Sequence, residues 1–294
     1  MLISGGGSIF RDVTSSRSLL YYISVVALAR LLRKPVVFYA QGVGPVRRPF
    51  NRWLLGKVAN RVNLITLRDE ASRDLLQRIG VSRPPLQVTA DPVFALQSAS
   101  ADKSEIIKLY PLLGDKKAKL LGVSVRHWAA LEGYQQELAR VLDHMHEQGF
   151  EILFIPMDYP DDMHESQKVL SFMQHPAHLL EQNFNTGQHL ALISCLDLML
   201  GMRLHALIFA ASCGIPFAGI SYDPKIDAFL DLFGLASLPA SAEAMIEEIH
   251  SLLQNENRQN DMRRISQKMR EQSEENARLA LQLLTGSGSS TRTS

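Results

Sequence analysis

The chain has 294 residues, enough for one large domain or two of medium size, and its 46% hydrophobic and 21% charged residues are an ordinary globular composition. A net charge of +1 argues against nucleic acid as the partner. The two cysteines, Cys195 and Cys213, lie in apolar segments and read as buried free thiols of a reducing compartment, not as a disulfide framework.

In chain order, apolar strand-like runs alternate with amphipathic segments of helical length, the pattern of parallel α/β sheets. Strands are predicted at 2–4, 36–40, 64–67 and 86–89, with helices at 18–32, 51–60 and 70–79. The 18–32 stretch is the most apolar, but it carries Arg30, and no run reaches the length of a membrane span. Residues 95–119 break the pattern with Ser, Ala, Asp and Lys. A second alternation follows: strands at 120–125, 151–156, 196–200 and 217–221, and helices at 134–148, 163–173, 186–193 and 204–213. Helices over 242–253 and 258–284 precede a Gly/Ser-rich end. The expected architecture is therefore two Rossmann-like halves, 1–96 and 119–240, joined by a linker with a short helix at 97–118. Terminal helices over 241–285 and a flexible tail over 286–294 complete it. The layout is that of many sugar transferases, with the active site expected between the halves.

The run from Gly201 to Ala211 is the most informative. It places Arg203 and His205 in the first turn of a helix that follows a parallel strand, at the sheet edge where open α/β folds hold ligands. Free N–H groups and the dipole at such a helix start attract anions and favour a neutral imidazole. Arg203 is therefore a candidate anion ligand, and His205 a candidate proton carrier. The competing reading pairs Arg203 with a structural carboxylate. Arg126 ends the 120–125 strand and points to the same edge, so two arginine forks there suit the carboxylate and phosphate of one small anion. His127, next in sequence, is left unassigned. Lys225, in Tyr222-Asp223-Pro224-Lys225, is a further phosphate contact, and Asp223 is either an acceptor contact or a helix cap.

In the first half, Gly5-Gly6-Gly7-Ser8 permits close approach of a ligand to the backbone but lacks dinucleotide-fingerprint spacing. Gly6, Gly7, Asp12 and Gln41 are the candidate acceptor contacts, and Ser15 or Ser16 caps the next helix. Arg68-Asp69-Glu70 reads as a helix start and the acidic 157–162 segment as a solvated loop. No spacing of Cys, His or carboxylates makes a convincing metal site. Arg47, Arg48, Arg52 and Lys57, beside Phe50 and Trp53, suit an anionic membrane surface or a plain solvated helix face.

Six stretches together resemble the polysaccharide pyruvyl transferases, most closely the bacterial CsaB type. They are Ile3–Ser8 with Asp12–Ser15, Tyr39–Pro45, Arg68–Glu70, Ala90–Pro92, Gly201–His205 and Tyr222–Lys225. The resemblance implies a glycosyltransferase-B-like fold, phosphoenolpyruvate as donor substrate and no cofactor. The implied product is a pyruvate ketal on N-acetylmannosamine of a lipid-linked cell-wall polysaccharide precursor, which serves surface-layer anchoring. It also implies a cytoplasmic enzyme, peripheral at the inner membrane face. The family's Arg-Leu-His element carries over to Arg203, Leu204 and His205, which with Arg126 and Lys225 form the donor set. Family members carry a further strand and Gly-Asp-Glu loop before the segment that is residue 1 here, so the N-terminal unit is expected to be truncated. The alternative is a nucleotide-sugar glycosyltransferase, with Glu181 or Asp197 as the ribose-binding acid; a non-catalytic sugar-binding protein is the third reading.

Overall fold

The computed structural model describes residues 1–286 apart from 13–15, 98–99, 116, 129–130 and 132. The expected Ser15 cap and the 287–294 tail lie outside the described residues. The chain divides into two units, Met1–Ala95 with Lys268–Ser294, and Leu96–Gln267.

The first unit is a parallel sheet of β1 (Leu2–Gly5), β2 (Val36–Gln41), β3 (Leu64–Leu67) and β4 (Leu86–Val88), in that spatial order. Helices α1 (Ser16–Leu31), α2 (Pro49–Ala59) and α3 (Glu70–Arg78) connect the strands. β2 and β3 are continuous apolar runs because their side chains are covered on both faces. Phe38, Ile65 and Leu67 meet Phe10, Leu19, Ile23, Leu55 and Leu76 in the core. α2 starts with Pro49 in its first turn and α3 with the Asp69 carboxylate accepting the Ser72 N–H. Gly5 is sterically required, since a Cβ there would lie 1.9 Å from the Tyr39 carbonyl oxygen.

The second unit is also a parallel sheet: β5 (Lys119–Ser124), β6 (Phe150–Phe154), β7 (His178–Leu179), β8 (Leu198–Gly201) and β9 (Phe217–Gly219). Its spatial order is β7-β6-β5-β8-β9. The chain moves outward from β5 through β6 to β7, then returns to the other side of β5 for β8 and β9. The switch point, where strand order reverses, therefore lies between β5 and β8, and open α/β sheets bind ligands at the carboxyl ends of such a pair. The helices are α4 (Ser100–Leu109), α5 (Tyr134–Glu147), α6 (Asp161–Phe172), α7 (Thr186–Ile193), α8 (Leu204–Ser212), α9 (Pro224–Leu232) and α10 (Ala242–Gln254). α11 (Glu256–Thr285) begins in this unit and ends in the first, where Asn276 donates to the Ala90 carbonyl and accepts from Thr89 Oγ1.

The α/β class and both sets of parallel strands match expectation. The 97–118 linker contains the short helix expected of it. The segment forms α4 and a 3-10 turn at Pro111–Gly114, and α4 packs on α7. Ile106 and Leu113 are buried there, so a mostly polar composition concealed one apolar face. Of the terminal helices, α10 docks on α5, where Glu137 accepts the Ala242 N–H. Two short elements, β7 and α9, had no periodicity long enough to read. Among the described residues, no helix is long and apolar enough to cross a membrane.

His189 on α7 is buried against Phe184 and Phe209, with Nδ1 unpaired. Burial lowers its pKa to about 4. Unfolded histidine titrates near ~6.5, so between these values only the unfolded chain takes up the proton, and stability falls as pH drops through that window. A depression of this size corresponds to about 3 kcal/mol. His189→Leu is expected to flatten that part of the stability profile. Identical denaturant midpoints against pH for both proteins would contradict this.

Candidate active site

Four loops gather at the carboxyl edge of the second sheet. Ser124 of β5 is paired with Gly201 of β8 and Gly201 with Gly219 of β9. Arg126 and Arg203 therefore each lie two residues beyond a paired position, on the two strands that flank the switch point. Tyr222 lies three beyond on β9.

Arg203 is the N-cap of α8, and its side chain is 15% exposed. Its Nε donates to both carboxylate oxygens of Asp162, at 2.9 and 3.1 Å, and Nη2 donates to Asp162 and, at 3.2 Å, to Asp158. Asp162 is fully buried in the first turn of α6 and also accepts the N–H groups of Met157 and Asp158. Burial works against the charge on Arg203, but Asp162 and Asp158 outweigh it and raise its pKa. The competing reading of Arg203, a structural ion pair, is thus realised through Nε and Nη2. Nη1 has no protein partner among the described residues. The expectation of a solvated 157–162 loop is corrected: its last residue is a buried counter-ion. A run of acids reads as a solvated face unless the distant arginine it meets is known.

Arg126 donates from Nη1 to the Tyr222 hydroxyl at 3.0 Å and lies 5.3 Å from the Tyr222 ring and 5.8 Å from that of Trp128. The two rings are 4.8 Å apart, which fixes the direction of the guanidinium. Leu204 and His205 are the first two residues of α8; Leu204 is half-buried, and His205 is exposed, its ring 6.4 Å from Phe209. Asp223 accepts the Lys225 N–H and caps α9, which favours the cap over the sugar contact for Asp223. Lys225 is half-buried in the first turn of that helix. These residues form one set within the second unit.

The candidate acceptor residues of the first unit brace its loops. Asp12 is buried and accepts the N–H groups of Arg47 and Arg48 and the Asn51 amide, tying its loop to the start of α2. Burial pushes its pKa up, but these hydrogen bonds prevail and hold it below the usual value. Gln41 is fully buried because a bulge with Ala40 at φ 43° shifts the register before it. Its Nε2 donates to the carbonyls of Gly7 and Gly42. Asp12 and Gln41 thus brace the loops of this unit. Gly6 donates to Tyr39 O, and Gly6 is exposed while Gly7 is half-buried. Arg68 is more than part of a helix start: it donates to Asp91 and to Ser8, both at 2.7 Å. A Cβ at Gly42 would meet Arg68 and Ser8 at 2.7 Å, so this glycine makes room for the pair.

Asp197 accepts the Leu120 N–H at the amino end of β8, away from the ligand edge, which removes it as a ribose-binding acid. Among the described residues, no group of three or more His, Cys, Asp or Glu is placed to hold a metal ion.

Solved structures of like fold include the UDP-GlcNAc 2-epimerase of Neisseria meningitidis, determined with UDP-GlcNAc. It is 15% identical, with a TM-score of 0.63 over 90% of this chain and 74% of that one. MnaA of S. aureus, determined with UDP, has a TM-score of 0.64 at 13% identity over 95% and 76%. At such identities the likeness carries the fold alone, two Rossmann-like units of the glycosyltransferase-B type. A curated relative, the amylovoran biosynthesis protein AmsJ of Erwinia amylovora, is 21% identical over 262 residues, 84% of this chain. The chain spans 62% of the length of that relative. The family model described as polysaccharide pyruvyl transferase matches residues 1–224. That match runs through every strand of both sheets and stops at Pro224, one residue past the Asp223 cap. The motifs that brace the first unit and those that arm the second thus fall in one family, and the chain belongs to the polysaccharide pyruvyl transferases.

Proposed function

We propose that this protein transfers pyruvyl from phosphoenolpyruvate to two hydroxyls of one sugar in a surface-polysaccharide precursor, forming a ketal and releasing phosphate. The observation that carries this reading is the pair of arginines at matching positions beside the switch point, with His205 in the first turn of the adjoining helix. Arg126 and Nη1 of Arg203 hold the donor's carboxylate and phosphate, Lys225 adds a cation, and Leu204 lines the donor. Asp162 holds the Arg203 fork in place before the donor arrives. His205, which the negative charge of the bound donor keeps protonated against the helix dipole, delivers a proton to the donor's methylene carbon, which makes the neighbouring carbon electrophilic.

The acceptor of the CsaB type, N-acetylmannosamine on a lipid diphosphate, is the substrate we assign first, with a role in surface-layer anchoring. Exposed Gly6 and half-buried Gly7 are the acceptor contacts that the bracing network leaves available. The deciding experiment is incubation with phosphoenolpyruvate and a lipid-diphosphate N-acetylmannosaminyl-N-acetylglucosamine analogue. Release of phosphate with a pyruvyl mass gain on the sugar supports the reading. Transfer from a UDP-sugar in its place would replace it with glycosyl transfer.

A lipid-linked acceptor calls for a membrane surface, and the first unit supports one. Residues 1–62 hold ten Lys and Arg against the single, buried Asp12. Tyr21, Leu28, Leu31 and Leu32 at α1, and Phe50 and Trp53 on α2, are exposed. Aromatic residues among cations are the composition of a surface that docks on anionic lipid at the inner membrane face. The protein is expected to sediment with vesicles containing phosphatidylserine at low salt and not with neutral ones. Phe50→Ser with Trp53→Ser should lower that binding about tenfold. Equal binding to both vesicle types would refute the docking surface.

A further inference from the structure

The proposed reaction needs a second proton carrier. His205 must enter protonated to supply the methylene carbon, so it is not free to take the proton of the first attacking hydroxyl. His127 directly follows Arg126, on the β5 side of the switch point. Its side chain is 61% exposed, and its Nδ1 lies 3.4 Å from Oε2 of Glu165, whose side chain is 1% exposed. Oε1 of Glu165 accepts from the Tyr134 hydroxyl and from Gln135 Nε2, both at 2.7 Å, and Lys168 Nζ lies 3.4 Å from Oε2. Burial alone raises the pKa of Glu165, but these partners outweigh it and keep the group ionised. The Tyr134 hydroxyl also lies 3.0 Å from the Arg126 carbonyl oxygen, so the same residue places Glu165 beside the backbone just before His127.

The second feature is the spacing on α6. Asp162 and Glu165 are three residues apart, on one helix face, and both are buried. Asp162 holds Arg203 after β8, and Glu165 faces His127 after β5. One helix thus supplies a buried carboxylate to a basic group on each side of the switch point. A buried acid within ion-pair distance of Nδ1 favours the tautomer that carries its proton there and leaves Nε2 as the proton acceptor.

Resting on the pyruvyl-transfer reading, we propose that His127, oriented by Glu165, is the general base for the attacking sugar hydroxyl and the acid for the departing phosphate. In the first step, the hydroxyl oxygen bonds to the central carbon of phosphoenolpyruvate. Its proton passes to His127, and His205 gives its own proton to the methylene, making a methyl group. In the second step, the bond to phosphate breaks and the phosphate takes the proton from His127. The second hydroxyl then closes the ketal, and its proton recharges His205. Two hydroxyl protons are consumed, one ending on carbon and one on phosphate, and both histidines return to their starting states.

The test follows phosphate release from phosphoenolpyruvate with the lipid-diphosphate N-acetylmannosaminyl-N-acetylglucosamine analogue, in the wild type, His127→Ala and Glu165→Gln. His127 is exposed, so its removal leaves folding unaffected. The expected result is a kcat about 100-fold or more lower in His127→Ala, with calorimetric phosphoenolpyruvate affinity unchanged and partial rescue by added imidazole. Glu165→Gln, as a positioning variant, is expected to lower kcat about tenfold without raising KM. Wild-type kcat in His127→Ala, or a loss that imidazole does not rescue and that follows donor affinity, overturns the proposal. A silent wild type sinks pyruvyl transfer itself and this role with it, an outcome distinguishable from an active wild type with an equally active His127→Ala.

Discussion

Replacing Asp162 with alanine is expected to cost about 3–5 kcal/mol of stability, because it leaves Arg203 buried without its counter-ion. The carboxylate also accepts two N–H groups that cap the start of α6, so their desolvation adds to the loss. Chemical denaturation reads the change directly, and an unaltered midpoint would mean that the pair is dispensable. Asp162→Asn separates the two roles: its carbonyl oxygen still caps the backbone, but it no longer matches the charge of the arginine fork. Its stability loss is expected to be the smaller of the two. Phosphoenolpyruvate affinity should still fall about tenfold, since an arginine released from its bidentate partner no longer holds one direction. Calorimetry showing full affinity in Asp162→Asn would remove Asp162 from donor binding.

The second large effect is expected at His205. Alanine there should lower kcat by about 10²–10⁴, the usual contribution of a positioned general acid. The side chain is exposed at a helix start, so folding stability should move by less than about 0.5 kcal/mol, and donor affinity should hold. Turnover at the wild-type rate would end the assignment of His205. The contrast with Asp162 is instructive. A buried charge is read out in stability as well as binding, whereas an exposed proton carrier is read out in turnover alone.

The placement of the second unit's basic residues was legible in order along the chain. Strands ending in polar residues, each followed by a helix, place Arg126, Arg203, His205 and Lys225 at one sheet edge in any parallel fold. The capping of α9 by Asp223 was one of two readings open for an Asp-Pro pair. Less was legible in the first unit. Gln41 and Asp12 look like ligand residues because they are polar and follow a strand, yet both are buried and turned onto backbone groups of their own unit. The bulge at Ala40 that turns Gln41 inward leaves no signal in composition or period. Arg68 shows the same limit, since its partners Ser8 and Asp91 lie 60 and 23 residues away in the chain.

By itself the sequence determined the alternation of strand and helix, the parallel sheets, the family and the placement of Arg203 just after β8. These follow from local periodicity and from motifs contiguous in the chain. Only the tertiary structure decided the strand order that sets the switch point between β5 and β8. It also decided the burial of Asp162 and Glu165 on one face of α6, and their pairing with Arg203 and His127. The physical reason is that a carboxylate's role depends on what removes it from water and which cation it meets there. For Asp162 that cation lies 41 residues further along the chain, brought into reach where the start of α6 meets the start of α8.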